Sequence, residues 1–441
     1  MSFGICVTAL LQANGTLGLI ATNTVAQGDT REVGLQAMVD NGFTITRAIQ
    51  SRPWPAASAN LEYAAVWGTR GEVPDEVPRT ADNNVVRRIS TLLEPVGRVE
   101  GNPLRLEENK GVGFQGCIVL GKGFVLDELQ AQEWIASDTR NAEVLFPYLN
   151  GEDLNSRPDS SASRWVVDFN DRSEHESAIF VLPFARLEDL VRPERRRLKG
   201  DGSFALRRPL PERWWQYGEK RPALRKAIAG FSEVLVIARV SKTVMPIRVA
   251  TGQVMSEACV VFATDNYGDQ AVLSSSLHQI WAITYGSGLR NDPRYTPSDV
   301  FETFPRPNIT EALVGVGRVL EEERRAIMLR RNLGMTKIYN LVNDPAVNDA
   351  VDDDIARLRH LHAELDQTVL HAYGWHNIDL EHGFHEYRKM ERWTISPSAR
   401  IEILDRLLEE NHRRAQTGVI NPDSHHVQRM TDNTEATALF D

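Results

Sequence analysis

The densest positive charge in the chain lies between Arg192 and Lys226. Arg192, Arg195, Arg196, Arg197, Lys199, Arg207, Arg208, Arg213, Lys220, Arg221, Arg225 and Lys226 are opposed there only by Glu194, Asp201, Glu212 and Glu219. Trp214, Trp215 and Tyr217 interleave with them. Spaced cations neutralise phosphates and release counterions from a duplex, and this pattern points to double-stranded DNA as a partner. The residues expected to touch phosphates are Arg195, Arg196, Arg197, Arg207, Arg208, Lys220 and Arg221. The same composition also suits a solvated loop whose tryptophans pack inward, and residue types alone leave both readings open.

Other reactive side chains give weaker patterns. His360, His362, His371, His376, His382 and His385 cluster in sequence. His371 and His376 are five residues apart, however, which misses the four-residue spacing of a helical metal pair. Cys6, Cys117 and Cys259 form no CxxC pair, so no zinc site and no disulfide framework is expected. Pro74-Asp75 and Glu108-Asn109-Lys110 echo a magnesium-dependent nuclease centre only loosely, and no GxSxG string marks a serine nucleophile. No catalytic residue and no metal ligand is assigned.

These residues sit in a chain of 441 residues with 42% hydrophobic and 25% charged residues and a formal net charge of −10. That composition excludes collagen, a disordered tail and a disulfide miniprotein, and it makes a purely electrostatic nucleic-acid coat unsuitable. No apolar run approaches a membrane span, no basic segment precedes the first apolar stretch, and a reducing cytoplasm fits. Residues 17–21, 43–54 and 61–71 read as strands and 28–42 as a capped helix, together the back half of an α/β sheet. Residues 72–112, with Pro74, Pro78, Pro95 and Pro103, read as a linker or covering segment. Residues 113–308 carry short β-like runs at 116–126, 164–169, 177–184, 233–240 and 257–264, with helical pieces near 127–137 and 219–229. From 309 to 416 the periodicity is helical: Thr310, Asp352 and Ser396-Pro397 precede stripes of buried spacing. Residues 417–441 read as a flexible tail.

Several strings resemble one family. GLIATNTVAQGDTREVGL at 18–35, PYLNGEDLNSRPD at 147–159, RWVVDF at 164–169, VRPER at 191–195 and the Trp214-Trp215 pair are similar to MmeI-like type IIL restriction–modification enzymes and their adenine-specific DNA methyltransferase relatives. The likeness continues through SSSLHQIW at 274–281, RYTPSDVFETFPRP at 294–307, LGMTKIYNLVND at 333–344, LHAELDQTVLHAYGW at 361–375 and RWTISPSARIEILDRLLEENH at 392–412. It implies a multi-domain α/β chain. Residues 1–112 would be the end of a Rossmann-like methyltransferase domain plus linker, 113–308 a DNA target-recognition domain, and 309–416 a helical C-terminal domain.

The resemblance also places base readers just before an Arg-Tyr pair, here Arg294-Tyr295. Arg290 and Asp292 then fall where members carry two charged residues around a spacer. Arginine reads guanine O6 and N7 and aspartate accepts from the cytosine amine, so the two could address one G·C pair; a surface turn shaped by Asp292-Pro293 is the plainer alternative. The family's glycine-rich S-adenosylmethionine turn and its Asn-Pro-Pro-Tyr/Phe loop are both missing from the sequence. The resemblance thus implies a complete enzyme that methylates adenine with S-adenosylmethionine. This chain is expected to bind no cofactor and to be inactive alone. Its implied partners are double-stranded DNA and an N-terminal methyltransferase half. A stand-alone, non-catalytic DNA-specificity subunit is the alternative.

Overall fold

The computed structural model describes residues 10–26, 28–54, 62–74, 76–96, 99, 101–289, 292–387 and 390–418. They form two compact units. One runs to Asn102 and includes Ile401–Glu409; the other runs from Pro103 to Arg400 and resumes at Glu410.

The first unit is built on a five-stranded sheet of β1 (Thr16–Thr22), β2 (Phe43–Pro53), β3 (Glu62–Arg70), β4 (Arg79–Ala81) and β5 (Asn84–Val86), in the order β1-β3-β2-β4-β5. β3 is antiparallel to both β1 and β2, and β2 is parallel to β4. Helical turns at 28–40 supply Leu35 and Met38 to a core with Phe43, Ile45, Val66 and Leu93. β-Branched and aromatic residues suit these half-buried strands. The segment 72–112 is more structured than its prolines indicate. β4 and β5 extend the sheet, and β6 (Arg88–Ile89) pairs with β7 (Pro95–Val96). Proline is compatible with such short edge pairings because it costs no ladder bond there.

The second unit opens with β8 (Gly113–Gln115), β9 (Val125–Leu126), β10 (Leu145–Leu149) and β11 (Arg164–Val167), and continues with β12 (Glu233–Ala238), β13 (Ile247–Ala250), β14 (Val254–Met255) and β15 (Cys259–Phe262). They make two four-stranded sheets, β14-β10-β11-β9 and β13-β12-β15-β8. β12 and β15 are almost wholly apolar because they lie inside their sheet and are covered on both faces. Helices α1 (Glu128–Ser137), α2 (Gly151–Ser156), α3 (Val181–Leu190), α4 (Arg192–Arg195) and α5 (Pro222–Ile228) fall between strands. Residues 177–184, expected as a strand, are mostly helical: Val181 to Phe184 belong to α3, which places Pro183 and Leu187 inward and leaves Val181 and Leu182 exposed. A short apolar run fits a strand or a buried helix equally; here the Ser173 capping box starts a short helix over Glu174–Ala178, and α3 follows it without a side-chain cap of its own.

Next come α6 (Tyr267–Ser274), α7 (Ser276–Tyr285) and the hairpin of β16 (Ser287–Leu289) and β17 (Asp292–Arg294). Three longer helices follow the expected caps. α8 (Glu311–Arg331) is capped by Thr310, α10 (Asp353–Ala372) by Asp352, and α11 (Pro397–Thr417) by Ser396 with Pro397 in its first turn; α9 (Met335–Val342) lies between the first two. This region is not purely helical, since β18 (Gly383–Tyr387) and β19 (Met390–Thr394) form a hairpin in it.

The early and late parts of this unit are laced together. The Asn109 amide, fully buried, donates to the carbonyls of Phe301 (3.0 Å) and Phe304 (2.8 Å), and its oxygen accepts from Arg306 Nε at 3.0 Å. The backbone N–H of Leu106 donates to Glu302 at 2.7 Å, and β8 pairs antiparallel with β15.

Candidate nucleic-acid interface

The basic segment begins on α4 and wraps over the sheet of β9, β10, β11 and β14. Trp214, Trp215 and Tyr217 are buried in the core of that sheet with Phe124, Val166 and Leu187. They anchor the segment and are not stacking platforms, so the aromatic half of the pattern takes its inward reading. Trp215 Nε1 and Gln216 Nε2 both donate to the Arg172 carbonyl at 2.9 Å.

The cations have divergent placements. Arg195 departs from its expected role, being 1% exposed. Its guanidinium donates to the carbonyls of Val119 (2.8 Å), Leu120 (2.7 Å) and Gln216 (2.6 Å), and it lies over the Phe124 ring. Burial holds its pKa down to about 10, and the carbonyls provide the acceptors that a buried charge needs. Lys220 is engaged by Asp171, and Arg221 by the Gly116 carbonyl and Glu219. Arg196 donates to the Pro211 carbonyl at 3.2 Å. Arg207 and Arg208 are more than four-fifths exposed; Arg207 is loosely paired with Glu219 (3.8 Å) and Arg208 closely with Glu212 (2.9 Å). Arg197 and Lys199 are exposed and have no ion pair among the described residues. Four of these cations, Arg197, Lys199, Arg207 and Arg208, therefore face outward, where an anionic surface can reach them.

The second candidate is the β16–β17 hairpin. Arg290 lies outside the described residues; Asp292 is the first residue of β17. Tyr295 is buried, which removes it from base contact. Its hydroxyl donates to Nε2 of His278 (2.9 Å), while His278 Nδ1 donates to the Leu273 carbonyl (2.8 Å). That carbonyl fixes the neutral tautomer, and burial pushes the His278 pKa down to about 4. Phe262 meets the Tyr295 ring edge-on. The Arg-Tyr pair thus divides: Tyr295 roots the hairpin in the core, and Arg294 stays half-exposed beside it.

Arg294 lines a cleft of about 850 Å³ with Arg239, Glu257, Lys337, Asn155 and Glu152. Sequence reasoning missed Arg239, Glu257 and Lys337. They come from three separated stretches, and no spacing rule joins residues brought together only by the packing of α2, α9 and the strand ends.

The weaker patterns find structural roles. The Glu108 side chain is 3% exposed and pairs with Arg414 at 2.8 Å, so it is not a metal-facing carboxylate. His362 accepts or donates against Tyr339 at 2.7 Å, and His382 pairs with Asp366 at 2.8 Å. Among the described residues no group of three His, Cys, Asp or Glu is placed to hold a metal, and no helix is long and apolar enough to cross a membrane.

Likeness to known proteins covers most of this architecture. The family model for the MmeI target recognition domain matches residues 112–308. Among solved structures, that of the type IIL restriction–modification enzyme MmeI in complex with DNA superposes with a TM-score of 0.64 at 16% identity, covering 93% of this chain and 51% of that one. The type IIG restriction endonuclease BpuSI gives a TM-score of 0.28 at 10% identity, with 83% and 48% covered. No curated protein sequence matches. The chain spans about half the length of the MmeI chain it superposes on. In fold it is similar to MmeI-like type IIL restriction–modification enzymes, and its residues 112–308 match their target recognition domain.

Proposed function

We propose that the chain recognises a DNA sequence as the C-terminal portion of an adenine-specific, S-adenosylmethionine-dependent DNA methyltransferase of a restriction–modification or phage-defence system. The observation that carries this reading is the match of residues 112–308 to a target recognition domain whose basic segment leaves Arg197, Lys199, Arg207 and Arg208 outward. The first unit supports the methyltransferase part. β1 is the edge strand of its sheet and pairs only with β3 among the described residues; its side chains alternate between exposed and half-buried, with Ile20 59% exposed. Such an edge suits further strands from an N-terminal half.

Among the described residues, the exits of β1 and β3 do not fit the cofactor. β1 runs into Asn23-Thr24-Val25-Ala26 and β3 into Gly71-Glu72-Val73-Pro74, neither of which is a glycine-rich turn opening a helix. No step of methyl transfer is assigned to this chain.

The test is duplex binding followed by fluorescence anisotropy across a salt series. Reversing Arg197, Lys199, Arg207 and Arg208 to Glu should weaken binding to all duplexes alike. The slope of log K against log salt should flatten by about 0.9 for each phosphate that is no longer neutralised. An unchanged slope would assign the segment to solvent.

A further inference from the structure

The cleft beside the hairpin gathers three cations, Arg239, Arg294 and Lys337, with Glu257 and Glu152 in its lining but no closed ion pair to either arginine among the described residues. Arg239 follows β12 and Arg294 ends β17, and the two strands touch: Val240 and Arg294 form a β-bridge, and the Tyr295 N–H donates to the Arg239 carbonyl at 2.7 Å. The backbone fixes the two residues at one corner of the fold, and both line the cleft. Burial first, then the charge of Arg294, presses the Arg239 pKa below its ordinary value. Lys337, in the first turn of α9, adds a third cation to the lining.

Elsewhere in this unit several buried or partly buried arginines have carboxylate partners (Arg225 with Asp168, Arg306 with Asp269, Arg324 with Glu321 and Arg414 with Glu108), while Arg195 and Arg186 give their donors to carbonyls. Arg239 and Arg294 have none among the described residues, and Arg239 Nε is buried without any hydrogen-bond acceptor. Glu257 lines the same cleft but does not close a pair with either arginine, and its own Oε2 is buried without a partner. Glu152 is 78% exposed and leans toward Arg164 at 3.8 Å. A buried donor left unmade costs free energy, and the charge of Arg294 acts against that of Arg239 while Glu257 offsets part of it, so an entering anion with several acceptors would find donors to satisfy.

We propose that this cleft seats a phosphodiester group of the DNA strand passing the β16–β17 hairpin, gripped by Arg239 and Arg294 with Lys337 beside them. This rests on the reading of the chain as a DNA-recognition portion. The grip is independent of sequence: it fixes the strand at the root of the hairpin, so that side chains further along meet bases in one register. Arg294 then acts on the backbone of the strand and not on a base edge.

The experiment compares the full chain with R239Q, R294Q and R239K, using one fluorescent random-sequence duplex over a salt series and thermal unfolding without DNA. R239Q and R294Q should each lose about one unit of salt slope and about tenfold in affinity at low salt. Their melting temperatures should stay level or rise, because repulsion in the empty cleft is relieved. R239K should keep the slope and lose part of the affinity, since lysine retains the charge without the fork. Melting temperatures that fall in both glutamine variants would show an internal structural role and overturn the proposal. Parent-like slopes in R239Q and R294Q would also overturn it while leaving DNA recognition intact. If the parent chain binds no duplex, the proposal and the functional reading fail together.

Discussion

Arg195 gives its donors to main-chain oxygens from two other segments, so methionine in its place would take their donor from the carbonyls of Leu120 and Gln216 and leave Val119 only the long bond from the Gly218 N–H (3.4 Å). Arg195→Met should destabilise the protein by about 3 kcal/mol, read by chemical denaturation, whereas Arg197→Met should leave stability nearly unchanged. Equal midpoints for the two variants would refute the buried clasp. His278 and His362 make a second residue-scale case. Burial drives both pKa values down to about 4, so the folded state binds fewer protons than the unfolded chain between about pH 6.5 and 4. Stability is therefore full above pH 6.5 and is lost as the pH falls, each histidine contributing about 1.4 kcal/mol per pH unit within that window. His278→Gln should remove about half of this two-histidine contribution between pH 6 and 5; denaturation midpoints at several pH values check it. Sequence made the charge of Arg195 and Arg197 equally plain. It gave no sign that one turns inward and the other outward, because that depends on which carbonyls the fold leaves open nearby.

At the scale of elements, the N-cap of α9 touches the end of α2. A Cβ at Gly334 would lie 2.3 Å from the Ser156 backbone, which no rotamer change can relieve. Gly334→Ala should force α9 away from α2, widen the cleft that both line, and cost about 1–3 kcal/mol. Denaturation measures the cost, and a lower affinity for duplex DNA at fixed salt accompanies it; a stable variant with parent affinity would mean that the packing there is slack. Caps and long helices were legible in advance, since Thr310, Asp352 and Ser396 each cap where their side chains say. The stretch at 177–184 was not, because a short unbroken apolar run carries no period. The hairpin of β18 and β19 was hidden by its helical neighbours. The cleft was hidden altogether, since its cations come from a strand end, a hairpin and a helix start.

For the whole molecule, one expectation concerns the cofactor of the complete enzyme. The isolated chain should not bind S-adenosylmethionine, because neither β1 nor β3 leads into a glycine-rich turn and the sequence holds no Asn-Pro-Pro loop. Calorimetric titration should show no saturable heat, and stoichiometric tight binding would refute it. The family likeness spread along the chain was visible as strings of residues. The two-unit division was not, because Ile401–Glu409 joins the first unit from the far end of the sequence.

The lacing of Asn109 to Phe301 and Phe304 has a consequence for how the protein is made. The two ends of this clasp are 192 residues apart. With synthesis at about 5–20 residues per second, Asn109 waits roughly ten to forty seconds before its acceptors leave the ribosome. During that time β8 also lacks β15, and the second unit cannot close. Nascent chains are then exposed to chaperones and proteases with an unsealed core. A message cut short before the codon for Phe304 would yield fragments fit for degradation, not a smaller working domain.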